Sequence, residues 1–148
     1  MTRTDIAIIG SGPAGLEAAL TARNRNKTIT VYGSSDLSMK MQAIDHPITN
    51  YLGLSNMTGK QMAETFQKQL KDAGIEITEK RITTVYAMGD FFGLQTSGNE
   101  MTEASTVILA TGVTAGNPYP GETEYLGRGV SYCATCDAAF FQEGTVAV

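Results

Sequence analysis

The chain has 148 residues, of which 42% are hydrophobic and 18% are charged. This balance is typical of a folded globular domain and excludes both a disordered chain and one built on long apolar spans. The net charge is −4, and the densest basic cluster (Arg23, Arg25 and Lys27) resembles a solvated helix end. Because nucleic-acid binding depends on clustered Lys and Arg, we expect no such partner. No charged-then-apolar leader precedes the first predicted strand, so we expect a cytoplasmic protein without a membrane segment.

The N-terminal region predicts a βαβ unit. Residues Asp5–Ile9 form a short apolar run, Pro13–Asn24 read as a helix with proline in its first turn, and Thr28–Tyr32 are rich in β-branched and aromatic residues. By the usual handedness and burial rules, this unit predicts parallel strands covered by helices. We expect one face of this helix to consist of small residues and to pack closely on the sheet; these residues are Ala14, Ala18 and Ala22.

A long polar stretch, residues 33–57, separates the second strand from the next helix, and its length favours a functional loop. Thr58 and Gln61 then match a capping box, and Gly74 closes the helix that follows. The residues expected to form the buried stripe of this helix are Met62, Phe66 and Leu70.

After Gly74 the hydrophobic period changes to two. Residues 82–88 and 91–96 predict a hairpin, and residues 105–110 predict a buried strand that ends in Ala-Thr-Gly. Residues 113–131 predict a connector rich in loops, and residues 144–148 predict the start of another strand. The expected fold class is therefore α/β: a Rossmann-like nucleotide-binding domain with a parallel sheet and a β-hairpin or meander insertion.

A glycine-rich turn, Gly10-Ser-Gly-Pro-Ala-Gly15, follows the first strand and opens the first helix. In this context Gly10 permits the tight turn, Gly12 lets a pyrophosphate approach the backbone, and Gly15 lets the helix pack on the strand. A diphosphate would then lie on the free amides at the start of the helix, beside Pro13 and Ala14.

The end of the second predicted strand departs from the nucleotide-binding pattern. A carboxylate is expected there for the ribose hydroxyls, but the sequence continues Tyr32, Gly33, Ser34, Ser35 and Asp36. The acid is either displaced to Asp36 or replaced by Gly33 and the two serine hydroxyls. The turn by itself leaves NAD and FAD open.

Cys133 and Cys136 are the only two cysteines, and they are separated by two residues. A zinc site needs more ligands than this pair and a distant His46 provide, so we predict no metal. A structural disulfide would close almost no loop and is unusual in the cytosol. A redox-active pair is favoured, because thiol exchange needs an attacking and a resolving thiol close together. Asp137 is either a proton shuttle for that exchange or an ordinary first-turn acid.

The glycine turn, Ala110-Thr-Gly112 and the segment Gly127-Arg-Gly-Val-Ser-Tyr-Cys-Ala-Thr-Cys-Asp-Ala-Ala-Phe-Phe141 occur together in this order. The combination resembles the low-molecular-weight thioredoxin reductases and the related flavoprotein subunit of alkyl hydroperoxide reductase. The resemblance covers essentially the whole chain.

The resemblance implies that the cofactor is FAD. It implies that Ala110, Thr111 and Gly112 form a second contact near the flavin and that Asn50 faces it. It also implies that the backbone of Ile82 reads the adenine. Relatives carry Gly-Gly-Gln in the loop after the second strand, where this chain reads Leu37-Ser-Met-Lys-Met-Gln42, and Gln42 is expected to substitute.

The implied activity is a flavin-dependent reduction of a thioredoxin-like protein through the Cys133–Cys136 disulfide. In that scheme Cys133 attacks the substrate disulfide, Cys136 resolves the mixed disulfide, and Asp137 assists proton transfer. Relatives are usually homodimers, and the alternatives are a peroxide-linked flavoprotein or a non-catalytic FAD-binding module.

The expected organisation is an N-terminal part of an FAD-binding domain over residues 1–115. Residues 116–148 would be a linker and the incomplete start of a second, redox-disulfide domain. The chain is about half the usual length of the family, so we expect a fragment or a truncated product with weak FAD binding if nothing completes it. The donor site lies outside the sequence, which leaves NADPH and ferredoxin open.

Overall fold

The computed structural model describes residues 3–113, 116–126, 128–132 and 141–147. The chain divides into two compact units, Met1–Gly112 and Val113–Val148. The predicted domain boundary between residues 115 and 116 stays a prediction. The strands are β1 (Thr4–Ile9), β2 (Ile29–Tyr32), β3 (Ile77–Thr78), β4 (Ile82–Ala87), β5 (Phe92–Thr96) and β6 (Met101–Leu109). The helices are α1 (Pro13–Asn24), α2 (Met39–Gln42), α3 (Gly59–Asp72) and α4 (Glu122–Tyr125).

The first unit is built on a six-stranded sheet of order β3-β2-β1-β6-β5-β4. The pairs β3–β2, β2–β1 and β1–β6 are parallel, whereas β6, β5 and β4 form an antiparallel meander. A turn in which Met88 N–H donates to the Phe91 carbonyl over 2.9 Å joins β4 to β5. The predicted α/β fold, a parallel sheet with a meander insertion, is confirmed.

Strand β6 belongs to both parts of the sheet. Its first residues pair with β5 and its last residues pair with β1, and Ala104 has a partner on each side, Phe92 and Thr4. Ala104 is fully buried. The antiparallel meander and the parallel part of the sheet are therefore joined through one continuous strand.

The helical face of the sheet carries the larger core. Ile8 and Val31 point to this face and pack with Leu16 of α1 and Met62 of α3. The predicted capping box is confirmed: the Thr58 side chain accepts from the Gln61 amide, and the Gln61 side chain accepts from the Thr58 amide. The predicted stripe of α3 packs into the same core, with Met62 and Leu70 buried and Phe66 partly buried against it.

The opposite face carries a smaller core. Ala7 and Tyr32, the neighbours of the helix-facing Ile8 and Val31, pack there with Leu94 of β5 and Ala104 of β6. Ile82 of β4 joins the same cluster although three strands lie between β4 and β2 in the sheet order. The meander therefore curls over the face of the parallel strands that the helices leave uncovered.

Several boundaries differ from the predictions. The buried small residues of α1 are Gly15, Ala19 and Ala22, so the predicted alanine face is displaced around the helix. In an alanine-rich helix the faces differ little in hydrophobicity, and the orientation of α1 is set by the close contact of Gly15 with the Gly10 carbonyl after β1. Strand β6 begins at Met101 because its first residues pair with β5.

The predicted strand at residues 144–148 is wrong for residues 144–147, which take no strand conformation. A strand is stabilised only by pairing with a neighbour, and the described part of the second unit offers these residues no strand to pair with. No helix in the described part of the chain has the length and apolar character needed to cross a membrane.

Candidate functional site

The carboxyl ends of three parallel strands meet at one edge of the sheet. The Gly10 amide after β1 donates to the Tyr32 carbonyl over 2.8 Å, and the Gly33 amide after β2 donates to the Thr78 carbonyl over 3.2 Å. Open α/β sheets bind their ligands at this edge. The predicted glycine turn and the predicted ribose loop are therefore adjacent.

Close packing explains two of the three glycines in the turn. Gly10 has φ +124°, and a Cβ there would lie 2.1 Å from the Ala110 carbonyl oxygen. A Cβ at Gly15 would lie 2.0 Å from the Gly10 carbonyl oxygen. The Ala110 amide in turn donates to the Ile9 carbonyl over 2.8 Å. Ala110 and the turn thus form one tightly packed unit, which brings together two segments that were predicted separately.

Gly12 is different, because the space beside it is open. A Cβ there would meet only the Ser38 Cβ, at 4.0 Å. Gly12 is the N-cap of α1, and no side chain caps the helix. Pro13 and Ala14 follow in the first turn, where backbone amides have no partner within the helix. An open cradle at an uncapped helix start fits a diphosphate, because its oxygens accept hydrogen bonds from such amides.

Ser11 connects the glycine turn to the loop after β2. It is only 7% exposed, and its Oγ accepts a hydrogen bond from the Ser34 amide over 3.0 Å. A Cβ at Gly33 would lie 2.4 Å from this Oγ, which explains the glycine that follows Tyr32. The Ser11 side chain, between Gly10 and Gly12, is therefore structural, and it holds Gly33 and Ser34 against the turn.

Glu79, directly after β3, holds the next residue of the loop. Its Oε1 accepts hydrogen bonds from the Ser35 amide at 3.0 Å and from the Ser35 hydroxyl. The Ser35 hydroxyl and then the amide lower the pKa of Glu79 from its ordinary value of 4.5, so the carboxylate is ionised at neutral pH. On the other side, Gln67 of α3 donates to the Ser35 carbonyl over 3.2 Å.

Gln42 holds the last residue of the loop after β2, since its side-chain amide donates to the Asp36 carbonyl. The Asp36 amide donates to the Ser34 Oγ over 3.2 Å. Leu37 follows with a buried side chain in the helical-face core and anchors the loop there. Gln42 is thus in place beside the predicted ribose loop, where it is bonded to backbone.

Tyr32 and Ile82 lie on the meander side of the sheet. The Tyr32 side chain is buried, and its hydroxyl shares a hydrogen bond of 2.9 Å with Thr102 of β6. Only its backbone carbonyl, bonded to Gly10, reaches the strand edge. Ile82 begins β4 and packs in the same cluster as Tyr32. The part of Tyr32 that can contribute to the candidate site is therefore its backbone.

The remaining predicted residues lie on other segments. Asn50 is exposed on a loop closed by the bridge between Ile48 and Met57. Thr111 and Gly112 are exposed at the end of the first unit. Cys133, Cys136 and Asp137 lie outside the described residues.

Sequence reasoning did not single out Ser11 or Glu79. Ser11 occupies a variable position of the glycine motif, so the motif gives no signal for it. Glu79 stands 44 positions from Ser35, and only the pairing of β3 with β2 brings the two together. The one related signal in the sequence is the missing carboxylate after β2, which left either Asp36 or Gly33 with the two serine hydroxyls as the alternatives.

Comparison with known proteins finds relatives that match nearly the whole chain. A thioredoxin reductase of Peptoclostridium acidaminophilum is 42% identical over 149 residues, which cover 97% of this chain and 46% of that protein. A solved ferredoxin-flavin thioredoxin reductase of Clostridium acetobutylicum is 48% identical with a TM-score of 0.76, over 95% of this chain and 48% of that one. A solved thioredoxin reductase of Streptococcus pyogenes is 36% identical with a TM-score of 0.74, over 94% and 45%.

The resemblance predicted from the motifs is therefore confirmed, and the chain spans about half the length of the curated relatives it matches. The sequence profile described as pyridine nucleotide-disulphide oxidoreductase matches residues 4–148. Since that match takes in the glycine turn, the meander and the cysteine pair, this chain belongs to the pyridine nucleotide-disulphide oxidoreductase family.

Proposed function

We propose that this chain is the FAD-binding portion of a flavin-dependent disulfide reductase that acts on a thioredoxin-like protein. The observation that carries the proposal is the difference between Gly12, which faces open space, and Gly10 and Gly15, which are packed against backbone. Only the middle glycine is left for a ligand. The family match over residues 4–148 supports a disulfide reductase as the protein to which this cradle belongs.

In this proposal the first turn of α1, from Gly12 to Gly15, holds the diphosphate of FAD. Gly33, Ser34 and Ser35 lie against the adenosine ribose, and the Ile82 backbone reads the adenine. Asn50, Thr111 and Gly112 are assigned to the flavin end, and Gln42 to the loop beside the ribose, where its side-chain amide donates to the Asp36 carbonyl. When bound, the flavin supplies the two-electron chemistry needed to reduce a disulfide.

Cys133 and Cys136 carry the thiol chemistry. In the dithiol form, the Cys133 thiolate attacks one sulfur of the substrate disulfide and releases the other as a thiolate, which forms a mixed disulfide. The Cys136 thiolate then attacks the Cys133 sulfur, so that the substrate leaves as a dithiol and the pair becomes a disulfide. Two electrons pass to the substrate, and the two protons of the pair pass with them. Asp137 is assigned to the transfer of one of these protons.

The electron donor is NADPH or reduced ferredoxin. The 48% identity to a ferredoxin-flavin thioredoxin reductase favours ferredoxin, since the Streptococcus pyogenes thioredoxin reductase is only 36% identical. The departure from Gly-Gly-Gln at Leu37–Gln42 supports the same choice. A homodimer and a cytoplasmic location are further predictions.

The test uses the chain as it stands, with FAD and without oxygen. FAD binding is followed by fluorescence, the flavin is then reduced with reduced ferredoxin, and free thiols and thioredoxin reduction are counted. We expect the thiol count to rise by about two per chain as the Cys133–Cys136 disulfide opens. If the flavin is fully reduced while both cysteines stay disulfide-bonded, the chain is a non-catalytic FAD-binding module.

A substitution separates a redox cysteine from a structural one. Cys136→Ser is expected to bind FAD as the unchanged chain does and to lose thioredoxin reduction altogether. Loss of FAD binding in this variant would instead indicate that Cys136 is structural.

A further inference from the structure

The edge of the sheet contains a carboxylate that the proposed function has not used. Nucleotide-binding sheets of this type place an acid after the second strand, where it accepts hydrogen bonds from the ribose hydroxyls. Here the chain reads Tyr32-Gly-Ser-Ser35 at that point. The carboxylate in contact with the loop comes from Glu79, after β3.

The contacts of Glu79 fix where its charge lies. Both hydrogen bonds from Ser35 end on Oε1, and Oε2 takes part in neither of them. Ser35 is itself held from the other side by Gln67 at 3.2 Å. The carboxylate is therefore hydrogen-bonded to a loop that is held from both sides, and its Oε2 can accept a hydrogen bond from a ligand.

The position of Glu79 along the edge suits a ribose. The end of β3 is paired with the end of β2, which is paired with the end of β1 at the glycine turn. With strands about 4.8 Å apart, the end of β3 lies about 10 Å from the diphosphate cradle. Glu79 reaches back from there to Ser35, after β2. The carboxylate thus lies between the cradle and the end of β3, over the middle strand, where the sugar of an ADP moiety would lie.

We propose that Glu79 replaces the missing acid of the second strand and accepts hydrogen bonds from the adenosine ribose hydroxyls of the cofactor. The inference rests on the proposed function, because it assigns a residue within the same nucleotide site. Its bonds with Ser35 keep the carboxylate in place before the ligand arrives. The rival residue is Asp36, whose amide and carbonyl are bonded to Ser34 and Gln42.

The test compares two probes that differ only in the ribose hydroxyls, ADP and 2′,3′-dideoxy-ADP. Each competes with FAD for the full chain, and each affinity is read from the displaced flavin fluorescence. The unchanged chain is expected to prefer ADP by about tenfold or more, the usual scale for hydrogen bonds to a charged group. Glu79→Ala is expected to lose this preference and to bind 2′,3′-dideoxy-ADP as the unchanged chain does.

Three further variants complete the design. Glu79→Gln keeps an acceptor for Ser35 but no charge, so it should fold even if Glu79→Ala does not, and its preference for ADP should also fall. Asp36→Ala tests the rival acid and should keep the preference. Glu76→Ala removes a carboxylate from the start of the same segment and should keep it too.

The inference is overturned if the unchanged chain shows no preference for ADP. It is also overturned if Glu79→Ala and Glu79→Gln keep the preference, or if Asp36→Ala alone loses it. In each of these cases FAD still binds, so the proposed function survives. If the unchanged chain binds neither FAD nor ADP, the proposed function fails and this inference fails with it.

Discussion

Adding a single methyl group at Gly15 or at Gly12 should have opposite consequences for folding and for binding. At Gly15 a Cβ would lie 2.0 Å from the Gly10 carbonyl oxygen, a backbone atom that no side-chain rotation can move. Since real Cβ contacts are essentially never shorter than 3.0 Å, α1 has to move away from β1 by about that difference. At Gly12 the nearest atom is the Ser38 Cβ at 4.0 Å, an ordinary contact.

The expected cost of Gly15→Ala is at the upper end of the range for overpacking, about 3 kcal/mol. For a unit of this size that corresponds to a fall in Tm of about 10 °C. Gly12→Ala replaces a helix N-cap glycine by a poorer cap and is expected to cost about 1 kcal/mol or less. Its methyl group points into the diphosphate cradle, however, so FAD binding should be lost.

The assay pairs urea unfolding, followed by circular dichroism, with FAD titration for both variants. Gly15→Ala should unfold at a clearly lower urea concentration. Gly12→Ala should unfold close to the unchanged chain but fail to quench FAD fluorescence. A Gly15→Ala variant with an unchanged urea midpoint, or a Gly12→Ala variant that binds FAD normally, would refute the division of roles among the glycines.

Two other predictions concern the core and the charges. Leu94→Ala, at a fully buried site of the meander-side core, should lower the free energy of urea unfolding by about 3 kcal/mol. Leu52→Ala, at a site 99% exposed, should leave this free energy almost unchanged. Equal effects of the two variants would contradict the two-sided core. The pKa of Asp5 is lowered from 3.8 by hydrogen bonds from the Thr28 amide and hydroxyl and by the charge of Lys27. The ionised Asp5 therefore contributes stability above that pH, and this contribution is lost as the pH falls through the folded pKa. Asp5→Asn should therefore flatten the acid side of the curve of Tm against pH below about pH 4, and a curve that keeps its slope would show that Thr28 does not favour the carboxylate.

The local signals in the sequence predicted local structure well. The glycine turn, the start of α1 and the capping box of α3 depend on residues within a few positions of one another, and each was found where predicted. The hairpin of β4 and β5 belongs to the same class, because its turn and its alternation are both short-range. Such features are encoded by neighbours along the chain, so one sequence is enough to predict them.

The features that were missed depend on contacts between distant segments. The contact between Glu79 and Ser35 exists only because β3 pairs with β2, and two paired residues leave almost no pattern for a strand. The orientation of α1 is set by the contact of Gly15 with Gly10, whereas the alanines suggested another face. The early start of β6 at Met101 likewise follows from its pairing with β5.

The double pairing of β6 also sets an order for folding. The meander can form from neighbouring segments, but β1 finds its second partner only when Ala104 and the residues after it arrive, about a hundred positions later. Until then Gly10 has no Ala110 carbonyl packed against it, and the glycine turn is incomplete. On the ribosome, the first motif to be synthesised is therefore among the last to take its final shape, and the proposed nucleotide site is complete only after this long loop has closed.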